Sequence, residues 1–189
     1  MIYLLERQVG FGDNEGIGFP SIKGCLAVAY QTTSGIFGFH NAGNSAPDKF
    51  ALRSKKWRDW VVQHPNGHDA GVALYGVSFI RRNLRGYSAT KSPVAFWKDE
   101  MKQFAHQLTF TGPIFGGDLA AIFTEPREVS ALVEFRKEGA ARDRPGGDAA
   151  RLALGADASG RRSFFNGPQE EGQHAYTGGC RDLTIFTWP

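Results

Sequence analysis

Two side chains suited to nucleophilic catalysis lie in the stretch SIKGCLAVAYQTTSGIFGFHNAG, residues 21–43: Cys25 and, fifteen positions on, His40. A thiol is mostly protonated at neutral pH, and an imidazole beside it can take that proton and release a thiolate nucleophile. Apolar residues alternate on both sides of Thr32-Thr33-Ser34-Gly35, which reads as the turn of a β-hairpin, with Gly35 supplying a left-handed conformation. With Gln31 opposite Ile36, paired residue numbers sum to 67, so His40 falls opposite Ala27. Strand side chains alternate faces, and Cys25, Ala27 and His40 then share one. Cys25 and His40 become diagonal neighbours, with Cβ atoms up to ~7–8 Å apart. A turn of odd length would put them on opposite faces. Ala27 leaves room between them, and Gly24 clears a side chain from beside the nucleophile, which makes the Cys25 N–H a candidate oxyanion donor. The competing expectation is a packed, inert core cysteine, a common fate for this residue type.

Other candidates are thinner. Cys180 follows two glycines, with His174 six positions before it, but no register relates the two, and a core thiol is the better expectation. His64, His68 and Asp69 flank a turn without the further ligand spacing a metal site needs, and read as surface residues at a helix end. Arg81, Arg82, Arg85 and Lys91, with Tyr87 among them, form a basic connector of the kind that binds phosphates and stacks bases. One such cluster on a chain of net charge +3 makes nucleic acid an unlikely partner, and docking on an acidic protein patch fits as well. A papain-type protease is disfavoured, because its cysteine opens a helix whereas Cys25 opens a strand.

The elements that must position the pair follow from pattern. The 189 residues fit one domain, expected to span the whole chain, and fifteen Phe, four Trp and five Tyr favour strands around a large core. Residues 2–9 read as a first strand, and the glycine-rich stretch 10–20 as a flexible loop whose spacing is not that of a dinucleotide fingerprint. After the hairpin, residues 45–64 read as a helix capped by Ser45 and ended by Pro65, with Phe50, Trp57, Trp60 and Val61 as its buried stripe. Residues 70–80 read as a strand, and a second helix opens with Ser92 as cap and Pro93 in its first turn. Short strands follow over 114–123, 129–136, 161–165 and near the end, around a polar Gly- and Ala-rich excursion expected to be a mobile loop. The sum is an α+β fold with a mixed or antiparallel sheet or sandwich. The N-terminus lacks a basic leader region, its apolar run is too short for a signal-peptide core, and no apolar run reaches membrane-spanning length.

The Ser-Ile-Lys-Gly-Cys signature, its following strand and the histidine fifteen residues on resemble the catalytic core of the cytotoxic necrotising factor family of bacterial toxins. That core is similar in Burkholderia lethal factor and, more distantly, in chemoreceptor glutamine deamidases. The resemblance covers about residues 19–43. It implies a β-sandwich-like core with flanking helices and hydrolysis of a glutamine side-chain amide in a target protein, with Cys25 as nucleophile and His40 as base. It leaves the orienting group open among Ser21, a backbone carbonyl of the glycine loop, or none. One residue is inserted here between the signature's Ser and Gly, and Phe19 stands where some relatives use a threonine. The resemblance implies no cofactor. The implied partner is a host protein bearing a reactive glutamine, a small GTPase or translation factor, reached by secretion or delivery into a host cell. The alternative expectation is a non-catalytic protein-binding domain with an aromatic-rich sheet and a structural Cys25.

Overall fold

The computed structural model describes residues 2–12, 16–43, 47–81, 91–121, 131–135, 162–163 and 185–188. In chain order the strands among them are β1 (Ile2–Tyr3), β2 (Gln8–Gly12), β3 (Ile17–Ile22), β4 (Leu26–Thr32), β5 (Ile36–Asn41), β6 (Gly71–Ser78), β7 (Ile114–Asp118), β8 (Ala131–Phe135), β9 (Arg162–Ser163) and β10 (Ile185–Trp188). Helix α1 (Pro47–Gln63) follows β5, and α2 (Pro93–Gln107) connects β6 to β7. The strands form two mixed sheets: a larger one ordered β10-β7-β6-β4-β5-β2-β9 and a smaller one ordered β1-β3-β8. The α+β class is therefore correct.

Two cores share the larger sheet. On one face Ile17, Phe19, Ile22 and Leu4, with Ala131, Val133 and Phe135, pack the smaller sheet against Ala27, Ala29, Ile36, Val77 and Phe79. On the other face Leu26, Val28, Tyr30, Phe37 and Phe39 lie under Phe50, Trp57 and Val61 of α1 and Trp97, Met101 and Phe104 of α2. Period-two alternation along β4 and β5 sorts small residues to the sheet–sheet side and large aromatic ones to the helix side. Phe39 meets Trp57 and Phe104 with ring centroids 6.1 and 6.2 Å apart.

The β4–β5 hairpin has the expected register: Ala27 pairs with His40 and Gln31 with Ile36. Thr32 N–H donates to Gly35 O at 2.8 Å, closing the turn over Thr33 and Ser34. Gly35 is not left-handed, since Gly16, at φ 95°, is the only described glycine with a positive φ. A glycine suits position 35 for another reason. A Cβ there would lie 2.5 Å from Gly12 O and 2.6 Å from the Phe11 ring. The second helix begins as expected, with Ser92 Oγ accepting from Ala95 N–H at 3.2 Å. The expected cap Ser45, the connector residues 82–90 and the excursion over 138–160 lie outside the described residues, as do Cys180 and His174.

The first nineteen residues differ from expectation. Residues 2–9 are two strands in different sheets, because the chain turns at Leu4–Gln8: Arg7 takes φ 69° and Gln8 N–H donates to Leu5 O at 2.9 Å. The stretch read as a glycine loop holds the last three residues of β2, in the larger sheet, and most of β3, in the smaller one. Its Gly18 lets the Tyr3 ring lie against the backbone. His64 is half-buried among Phe11, Phe37 and Trp60 instead of sitting on the surface, while His68 is exposed.

This packing makes a sharp contrast of substitutions. Phe39→Ala empties the centre of the helix-side core and is expected to cost about 3–5 kcal/mol. Leu52→Ala, at a side chain 52% exposed, should change stability by less than about 0.5 kcal/mol. Urea denaturation of both variants checks the difference.

Candidate functional site

Cys25 is the last residue before β4, and His40 is the penultimate residue of β5. The Ala27–His40 pairing puts both on the side of the sheet that faces the smaller sheet. The Phe19 ring stands edge-on to His40 at 6.1 Å. The structure thus brings the two sequence-predicted residues to one face.

His40 is 1% exposed. Its Nδ1 lies 2.8 Å from Leu4 O. A carbonyl can only accept, so Nδ1 carries the proton and Nε2 keeps an unshared pair. Nε2 is buried and has no hydrogen-bond partner, so the Cys25 thiol does not donate to it in this state. The Arg7 N–H donates to His40 O at 2.8 Å, so the Leu4–Gln8 turn grips both the ring and the backbone of the histidine. Burial lowers the His40 pKa from 6.5 to about 4, against an opposing push from the Leu4 hydrogen bond. The ring is neutral at physiological pH and able to accept a proton. A charged imidazolium, by contrast, would have to be stabilised in a medium that solvates it poorly.

Leu4 O fills the orienting role that the residues 21–43 left open. It comes from the turn after β1 and not from the glycine-rich stretch. Any residue type supplies a carbonyl, so no side chain in the sequence marks this one. Ser21 does not orient the ring, since Nδ1 is engaged by Leu4 O and Nε2 has no partner.

Ser21 has a different distinction. Along β3, Phe19 pairs with Val133 and Ile22 with Ala131, so three steps on β3 match two on β8. This is a β-bulge at Pro20–Ser21, and Ser21 takes φ 61°. A left-handed non-glycine residue costs about 1–3 kcal/mol. The bulge returns Ile22 to the face of Phe19, in the sheet–sheet core, and turns the chain toward Lys23, Gly24 and Cys25. Gly24 is not open to an approaching ligand on its carbonyl side, because a Cβ on Gly43 would collide with Gly24 O. Cys25 is 8% exposed, which is the burial that the competing expectation of a packed core cysteine calls for. It packs in a cluster with Ala27, Phe79, Leu119 and Ala131.

Among the described residues no group of three or more His, Cys, Asp and Glu side chains is placed to hold a metal ion. None of their helices is long and apolar enough to cross a membrane. No protein-family model, curated protein or solved structure matches the chain.

The buried histidine has a consequence for stability. Its pKa is 6.5 when solvated and about 4 in the fold, so between those values the native state binds fewer protons than the unfolded one. Its contribution is fully present above the solvated pKa and is lost as pH falls toward the folded one. At ~1.4 kcal/mol per unit the loss is about 3 kcal/mol. Denaturation curves across this range should show that His40→Gln, which has no such titration, loses about 3 kcal/mol less than wild type. Parallel pH dependence of the two proteins would refute this assignment.

Proposed function

We propose that the protein is a cysteine-dependent glutamine deamidase acting on a side-chain amide of a target protein. One observation carries the reading. The carbonyl of Leu4 fixes the His40 tautomer and leaves a buried, unengaged Nε2 lone pair on the face that Cys25 occupies. The resemblance of residues 19–43 to the necrotising-factor core supplies the substrate class and, with it, a deamidase-like fold and a toxin or delivered effector acting on a host protein.

The reaction runs in two halves. His40 Nε2 accepts the Cys25 thiol proton as Sγ attacks the carboxamide carbon. The Nε2 proton then passes to the departing nitrogen, the C–N bond breaks, ammonia leaves and a thioester remains. Water next attacks the thioester carbon while Nε2 accepts its proton. The C–S bond breaks, the proton returns to sulfur, and the glutamine has become glutamate. The neutral pair suits this order. A resting thiolate–imidazolium pair would place two charges in a dry site, whereas proton transfer concerted with attack needs them only transiently. Lys23, two residues before the thiol, is the exposed residue of the loop that leads into it.

A second reading is favoured by the burial of Cys25: the cysteine and histidine are packing residues, and the protein binds a partner without chemistry. The aromatic face of the sheet is not the surface for that partner, since Tyr30, Phe37 and Phe39 are buried beneath α1 and α2.

Incubation with a eukaryotic cell extract followed by peptide mass spectrometry separates the two readings. Wild type is expected to convert one glutamine of a specific protein to glutamate. Cys25→Ser should fold and lose nearly all turnover, because a serine hydroxyl is far less acidic than a thiol. His40→Ala should lose about 10²–10⁴-fold. Conversion that is equal with and without the Cys25 thiol would leave only the second reading.

A further inference from the structure

We infer that Ser21 and Gly43 are positioning residues for Cys25, fixing the loop that presents the thiol by constraining its backbone on two sides; this rests on the reading of Cys25 as nucleophile. The loop, Lys23–Cys25, lies between β3 and β4. Upstream, the bulge holds Ser21 at φ 61°. Opposite, Gly43 lies so close that any Cβ on it would strike the Gly24 carbonyl oxygen and carbon. Both constraints act on main chain, so neither yields by rotating a side chain. Gly43 is three residues beyond His40, and the close approach therefore also ties the cysteine loop to the end of the histidine's own strand. Of the three described non-glycine residues with positive φ, Arg7 and Ser21 flank this pair and Thr109 is elsewhere, at the end of α2. Arg7 secures the histidine through its N–H, and Ser21 secures the approach to the cysteine. The backbone of Ser21 carries this role, not its hydroxyl, so residues that tolerate the left-handed region should replace it.

Alkylation of Cys25 by iodoacetamide, resolved by peptide mass across about pH 5 to about pH 8, tests the assignment. An ordinary thiol slows about tenfold per pH unit below its pKa, because only the thiolate reacts. A thiol assisted by the neutral His40 base should instead hold a plateau down toward the His40 pKa of about 4. Ser21→Gly and Ser21→Asn should keep the plateau within about twofold, since both residue types enter the left-handed region readily. Ser21→Val, β-branched and excluded from that region, and Gly43→Ala should lose it and return to the steep profile, at least about tenfold slower near pH 5. Denaturation midpoints are measured alongside, and Ser21→Ala replaces the valine variant should that one not fold. A plateau that persists in folded Gly43→Ala and in the folded valine or alanine variant overturns this inference alone. A steep profile in wild type overturns the nucleophile reading and the inference with it.

Discussion

The even-numbered turn between β4 and β5 is the constraint on which the rest depends. Thr32 and Gly35 close it, and its two-residue length makes Ala27 the partner of His40. Had it one residue more or fewer, every side chain of β5 would change faces. His40 would leave Leu4 O for the helix side, and Phe37 and Phe39 would be driven into the narrow space between the sheets. The catalytic proposal and the packing of both cores therefore stand on the same parity. The apolar pattern enforces it, because the aromatic residues have a home on one side only.

The division of residue sizes lets a backbone carbonyl reach the histidine. Ala27, Ala29 and Gly38 form a lane of small side chains on the face toward β1, β3 and β8. A Cβ on Gly38 would run into Ile17, Leu4 and Phe19, so these three side chains sink into the lane and draw the smaller sheet close. The turn after β1 thereby comes within hydrogen-bond distance of His40. Enclosure that removes water also lowers the histidine's pKa, leaving a neutral base whose lone pair has nothing else to bond. A more open cleft would give a more basic ring but one with water on Nε2.

Much of this was legible in residue order. The hairpin register, the cap at Ser92, the buried stripe of Phe50, Trp57 and Val61, and the placement of Cys25 and His40 on one face all follow from periodicity and turn chemistry. What failed was long-range or main-chain in origin. Leu4–Gln8 carries no Gly or Pro to announce its turn; the chain reverses there because Arg7 enters the left-handed region and bonds to a strand thirty-three residues away. The glycines at 10, 12, 16 and 18 looked like loop markers, but only Gly16, at φ 95° between β2 and β3, is one; the others lie in extended strands, Gly12 pressed against Gly16 and Gly18 against Tyr3. The conformation of Gly35 was inferred from a turn stereotype, while its actual constraint comes from β2. The orienting carbonyl belongs to no residue type and so left no mark.

The fold sets strained backbone beside a dry polar pair, and the two features belong together. A neutral thiol and imidazole attract each other weakly, so their relative position cannot be left to Coulombic pull, as it could for an ion pair. It has to come from the frame. Here the frame is main chain: a left-handed arginine whose N–H fixes the histidine, a bulge centred on a left-handed serine, and a glycine pressed against the carbonyl just before the cysteine. Such constraints are insensitive to pH and to salt, because no charge takes part in them. Acid therefore reaches this frame through the buried histidine alone, whose stabilising contribution fades as pH falls toward its pKa of about 4 in the fold.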